Sequence, residues 1–157
     1  MKKEYKELYE DLRDEIAAID ETIERLQEIK NRFEPGVKDI CIEPAMGTYL
    51  MNFYNGIENI LKRVCKEYYK AMPRGESWHK ELLILSANPP EGKTAIFDRS
   101  LVEKLHPFRS FRHRFVSGYG FQLKGVKMLD LIDIVEPLWN EIKSDITIFW
   151  NKLYEAK

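Results

Sequence analysis

From Lys104 to Leu129 the chain contains no acidic residue, although its 26 aspartates and glutamates are spread along most of the rest. The same stretch holds Lys104, Arg109, Arg112, Arg114, Lys124 and Lys127, and two of the three histidines, His106 and His113. A basic patch of this kind concentrates anions and suits phosphate groups. Arginine grips phosphate with two parallel hydrogen bonds, and histidine moves protons near neutral pH. Together they are the minimum set for cleaving a phosphodiester without a metal. His106, Arg109 and His113 are spaced by three and four, which puts them on one face if the helix through them is continuous. Phe108, Phe111 and Phe115 read as core. The plainer reading of the segment is a solvated basic face that balances an acidic first helix.

The elements that must position these residues are helices. Tyr5, Tyr9, Leu12, Ile16, Ile19, Ile23, Leu26 and Phe33 step by four and three, interrupted at Lys30, and Pro35-Gly36 ends the run. This stripe is expected to cover its own bundle, with a coiled-coil strand between protomers as the alternative. Pro44 and Gly47 read as linker. Thr48 then caps a second helix with Leu50, Phe53, Ile57, Ile60, Leu61, Val64 and Tyr68 inward, ended by Pro73-Arg74-Gly75. Ser77 is expected to cap a short third helix running to about Ser86.

Ser100-Leu101-Val102-Glu103 fits a capping box for a fourth helix. Pro107 either kinks that helix or starts a new one after a break at His106. Gly118 and Gly120 close it. A last helix begins near Val126 on a stripe from Met128 to Leu153 and bends at Pro137. No alternating strand pattern of useful length occurs. The expected fold class is all-α: a single helical domain over residues 1–157, an antiparallel up-and-down bundle of about four long helices plus one short helix.

Composition narrows the function classes. Apolar residues make up 44% of the 157 positions, enough for a core, and the net charge is −1, so any electrostatic signal is local. Cys41 and Cys65 form no C-x-x-C pair and read as free thiols in a reducing compartment. The charged start Met1-Lys2-Lys3-Glu4 has no apolar leader, and apolar runs such as Leu82 to Leu85 are far too short for a bilayer. A cytoplasmic protein without a membrane partner is expected. There is no phosphate loop, no G-x-G-x-x-G turn and no H-E-x-x-H pair. No cofactor and no metal site are expected. His79 has Glu76 and Glu81 nearby, but Trp78-His79 reads as a packing and capping element.

Three stretches resemble a known family. Phe111-Arg112-His113-Arg114-Phe115-Val116-Ser117-Gly118-Tyr119-Gly120-Phe121 is similar to the HEPN superfamily, and within it to the HepT-like ribonuclease toxins. Gly75-Glu76-Ser77-Trp78-His79-Lys80-Glu81-Leu82-Leu83 resembles the G-x-x-W-H-x-x-L-L stretch of one HepT-like branch. Phe53-Tyr54-Asn55-Gly56-Ile57-Glu58-Asn59-Ile60 resembles its second helix. The resemblance runs from Tyr49 to Tyr154.

It implies a helical bundle that dimerises, with the basic segments of two copies facing each other across a cleft that binds RNA. It also implies a metal-independent endoribonuclease carrying an R-x4-H-x-Y motif. An MNT-type minimal nucleotidyltransferase, the antitoxin, would add AMP to the motif tyrosine. Laid on this chain, the arginine is Arg112, the polar residue after it is His113 and the AMP acceptor is Tyr119. Ser117 stands where the motif wants histidine, and a hydroxyl does not replace an imidazole as acid or base.

Two readings follow from the sequence. In the first, Arg112 and His113 are catalytic, and His106, Arg109, Arg114 and Ser117 contact RNA or its phosphates. In the second, the chain is a catalytically inactive HEPN subunit paired with a nucleotidyltransferase.

Overall fold

The computed structural model describes residues 3–37, 39–118 and 124–156. Its helices are α1 (Lys6–Arg32), α2 (Ile42–Val64), α3 (Trp78–Ala87), α4 (Arg99–Ser117) and α5 (Gly125–Glu155). A 3-10 turn, Lys3–Tyr5, precedes α1, and a π turn, Cys65–Tyr69, continues α2. Four of the helices are long and α3 is short, as expected. Among the described residues there is no strand, and no helix is long and apolar enough to cross a membrane.

Pairs along the helices give the directions. Asp11 and Ile19 of α1 meet Arg63 and Gly56 of α2, so the two run antiparallel. Asp20 and Lys30 of α1 meet Trp139 and Asp133 of α5, again antiparallel. Lys104 of α4 holds Glu141 of α5, and the Asp98 amide before α4 donates to Asp145. α4 and α5 are therefore antiparallel too, and the long helices alternate up and down.

The α1 stripe serves this bundle. Leu12, Ile19, Ile23 and Leu26 are buried, with Leu8 added to them, while Ile16 and Phe33 are partly buried against the same core. Lys30, the break in the stripe, reaches Asp133 at 2.6 Å and so belongs to the α1–α5 seam.

Several ends differ from the sequence reading, each for a local reason. α2 starts at Ile42, before Thr48. Pro44 lies in its first turn, where a missing N–H costs nothing, and the Thr48 hydroxyl donates to the Pro44 carbonyl at 3.0 Å. α2 stops at its π turn, ahead of Pro73, because Lys70 turns left-handed at φ 54°. That turn buries both Tyr68 and Tyr69, whose hydroxyls reach the Thr94 and Ile96 backbone. Ser77 precedes α3 but its side chain caps nothing. The Ser100–Glu103 capping box does not form. Asp98 caps α4 instead, its Oδ1 accepting from the Leu101 amide at 2.7 Å. Pro107 lies inside a continuous α4, so the break at His106 is absent.

Gly56 marks the closest approach of α1 and α2. A Cβ added there would lie 2.5 Å from Ile19 Cγ1, and Ile19 is buried with no room to swing aside. Gly56→Ala is therefore expected to lower stability by about 1–3 kcal/mol through overpacking, despite alanine's better helix propensity. A urea midpoint equal to or above that of the wild type would contradict this.

Candidate active site

The inward side of α2 carries an unusual residue. Tyr54 and Glu58 are four apart and both buried, among Phe53, Ile57 and Leu61. The Glu58 side chain is 2% exposed. A carboxylate in such a place must be paired and hydrogen-bonded, since burying it alone is prohibitively costly.

Two other helices supply the partners. Arg112, in the fourth turn of α4, sends its Nε to Glu58 Oε1 at 3.0 Å and to Asn55 Oδ1 at 2.8 Å. His79, at the start of α3, places Nδ1 2.5 Å from Glu58 Oε2. Each carboxylate oxygen thus has one partner. The ring is also held by Trp78, 3.4 Å away between centroids, and Lys62 Nζ lies 4.6 Å from the centroid of that indole.

This arrangement sets the chemistry of the imidazole. Nδ1 faces a carboxylate, which accepts, and Nε2 faces the Arg112 guanidinium, which only donates, so Nδ1 is the donor of the ring and Nε2 its acceptor. That Nε2 lies 3.4 Å from Arg112 Nη1. The outcome is an arginine and an oriented histidine side by side, with the arginine side chain 22% and the histidine side chain 24% exposed.

Three further polar atoms on α2 and α4, Tyr54 Oη, His106 Nδ1 and Arg109 Nε, are buried and make no hydrogen bond among the described residues. Burial, and after it the charge of Glu58, push the Tyr54 hydroxyl far above its ordinary value, while Arg109 and Arg112 pull it partly back. Tyr54 therefore stays protonated as a donor. Among the described residues no group of three histidines, cysteines or acids converges as a metal site would.

The structure splits the sequence candidates. His106 and Arg109 are half-buried, and Arg112 turns towards α2 and α3. His113, Arg114 and Ser117 are exposed on the last turns of α4. Successive helical residues diverge by about 100°, and within one chain His113 is not brought to Arg112. The expected common face of His106, Arg109 and His113 exists because α4 is continuous, but its last member lies beyond the cover of the core. Lys104 is held by Glu141 at 2.7 Å. Tyr119 lies outside the described residues.

Asn55, Glu58 and His79 were not singled out as site residues by the sequence. A signal existed: Glu58 falls among the apolar positions of α2, and an acid on a buried stripe requires a cationic partner. His79, read as a packing and capping element, instead binds that acid with its ring.

No curated protein and no solved structure compared with the chain matches it. The family model described as "HepT-like protein" matches residues 45–153, a span that contains Asn55, Glu58, His79 and Arg112. By that match the chain belongs to the HepT-like proteins of the HEPN superfamily.

Proposed function

We propose that this chain is a toxin-type endoribonuclease that cleaves RNA without a metal. The observation that carries the reading is the way Arg112 is held. Both of its fixed contacts to α2 fall on Nε, from Glu58 and Asn55. Of the terminal nitrogens, Nη1 makes a long contact of 3.4 Å to the His79 imidazole, and Nη2 has no contact among the described residues and is left to an anion. A fork fixed in advance loses little freedom when it clamps a phosphate. Arg109 and His106 add buried donor capacity behind it, and exposed His113, Arg114 and Ser117 offer contacts to the flanking RNA.

In this reading two copies bring their α4 ends together around the RNA, and an MNT-type nucleotidyltransferase silences the protein by adding AMP to Tyr119. The added phosphate would compete with RNA for the arginines. The second reading, a catalytically inactive subunit of such a pair, is favoured by two facts. Glu58 already neutralises part of the Arg112 charge, and Ser117 stands at the histidine position of the motif.

The deciding experiment incubates purified, unmodified chain with a single-stranded RNA. Cleavage that leaves 2′,3′-cyclic phosphate ends and is unchanged by a chelator is the expected result. An intact RNA at micromolar enzyme, or dependence on a divalent ion, would overturn the ribonuclease reading in favour of the inactive subunit or of another mechanism. Sedimentation of the same sample should show a dimer. Co-expression with the nucleotidyltransferase should add the mass of AMP to the Tyr119 peptide, and an unmodified peptide beside an active transferase would remove that mechanism.

A further inference from the structure

We infer that His79, positioned by the buried Glu58, is the proton-carrying catalytic residue of this chain and acts on the ribose 2′-hydroxyl of an RNA phosphodiester held by Arg112. The inference rests on the ribonuclease reading and names the group that the motif position occupied by Ser117 does not supply.

Three observations distinguish His79 from the other histidines. It is oriented: Glu58 Oε2 at 2.5 Å from Nδ1 selects the tautomer whose Nε2 is basic. It is adjacent to the phosphate group's binder: Nε2 accepts a long hydrogen bond, 3.4 Å, from Arg112 Nη1, and a phosphate that takes over that N–H frees the Nε2 lone pair for the 2′-hydroxyl. It is reachable, with about a quarter of its side chain open to solvent and the rest stacked on Trp78. A phosphate on the outer edge of Arg112 would carry its neighbouring 2′-oxygen to within hydrogen-bond reach of Nε2, the distance a general base requires. His113, by contrast, is exposed, and no hydrogen bond or ring contact among the described residues orients it. His106 leaves a buried Nδ1 without a partner.

The step balances as follows. Nε2 of neutral His79 takes the 2′-hydroxyl proton, the 2′-oxygen forms a bond to phosphorus, and the bond from phosphorus to the 5′-oxygen breaks. The departing oxygen takes a proton from water, and the imidazolium returns its proton to the hydroxide so formed. Glu58 gains no proton. It holds the ring and faces the imidazolium with a negative charge during the transfer, as carboxylates do beside catalytic imidazoles. The charged groups in contact with the ring are Glu58 from α2 and Arg112 from α4, and Lys62 lies over the Trp78 indole that stacks on it.

The test uses the full chain and variants His79→Asn, His79→Ala and His113→Ala, with a short RNA and its 2′-O-methyl counterpart. The asparagine amide can still donate to Glu58, so His79→Asn keeps the structural contact and removes only the proton carrier. It is expected to lose about 10²–10⁴-fold in kcat. Affinity for the 2′-O-methyl RNA should change by less than about threefold, the signature of a residue acting in the transition state. Imidazole added to His79→Ala should restore part of the rate, with the rate rising with the neutral imidazole fraction, whereas His113→Ala, which removes only a contact to the flanking RNA, should raise KM and keep kcat within about threefold.

His79→Asn cleaving at the wild-type rate would overturn the inference. So would a His79→Ala loss that imidazole leaves untouched, or a transfer of rescue to His113→Ala. Those outcomes are read against a wild type that cleaves, so they leave the ribonuclease reading standing. A wild type that does not cleave removes both.

Discussion

Glu58→Ala is expected to cost the bundle about 3–5 kcal/mol, the penalty of removing one member of a buried ion pair and leaving the other uncompensated. The carboxylate is 2% exposed and each of its oxygens carries a separate partner. Without it, Arg112 keeps only Asn55 on its Nε, and His79 Nδ1 faces the apolar side of α2. Both partners, the arginine and the imidazole, reach water over a fifth to a quarter of their side chains, which places the loss in the lower part of that range.

Glu58→Gln separates the causes. Its amide oxygen can still face Arg112 Nε, but its NH2 would meet the Nδ1–H of His79 and drive the ring to the other tautomer. Glu58→Met combined with Arg112→Met should recover most of the stability, since an apolar pair in place of a buried ion pair is often neutral or better. Urea unfolding of the four proteins measures this. A Glu58→Ala midpoint within about 1 kcal/mol of the wild type, the ordinary range for surface changes, would show that the pair is solvated rather than buried.

Arg112→Lys is expected to lower RNA cleavage by about 10²–10³-fold, the usual consequence of deleting a preorganised donor to the charge that develops on phosphate. Lysine preserves the charge, so Glu58 is not left unpaired. It lacks the fork: one ammonium cannot hold Glu58 and Asn55 while presenting a second edge to phosphate and a third nitrogen beside His79. The substitution therefore tests geometry with little disturbance of the buried charge balance. Arg112→Ala would mix this loss with the instability just described. Measuring kcat together with unfolding keeps the two effects apart. Cleavage by Arg112→Lys within about threefold of the wild type would mean that positive charge alone suffices there, and Arg109 would become the better phosphate ligand.

Much of this molecule is written in local periodicity. The steps of three and four from Tyr9 to Leu26, and from Met128 to Leu153, specify buried helix faces because a side chain's face depends only on its own phase along the helix. The number of helices follows from that kind of information, while the family resemblance rests on the residues of three local stretches, Phe53–Ile60, Gly75–Leu83 and the Arg112 segment. Ends are less legible. Ser100 and Asp98 both suit an N-cap, and the choice fell to Asp98, in a strand of chain whose amide is held by Asp145 of α5. Thr48 suits one as well, but α2 had already begun over Pro44.

The site itself depends on distance in sequence. Glu58 and His79 are 21 residues apart, and His79 and Arg112 are 33 apart, on three different helices. No spacing rule reaches across such intervals. The sequence determined that Arg112 sits in a basic, acid-poor helix and that His113 follows it. Only the packing of α3 and α4 against α2 decided that the acid buried behind Arg112 is Glu58 and that the histidine at its side is His79, because a buried carboxylate has to be met by whichever donors the neighbouring helices bring within hydrogen-bond range.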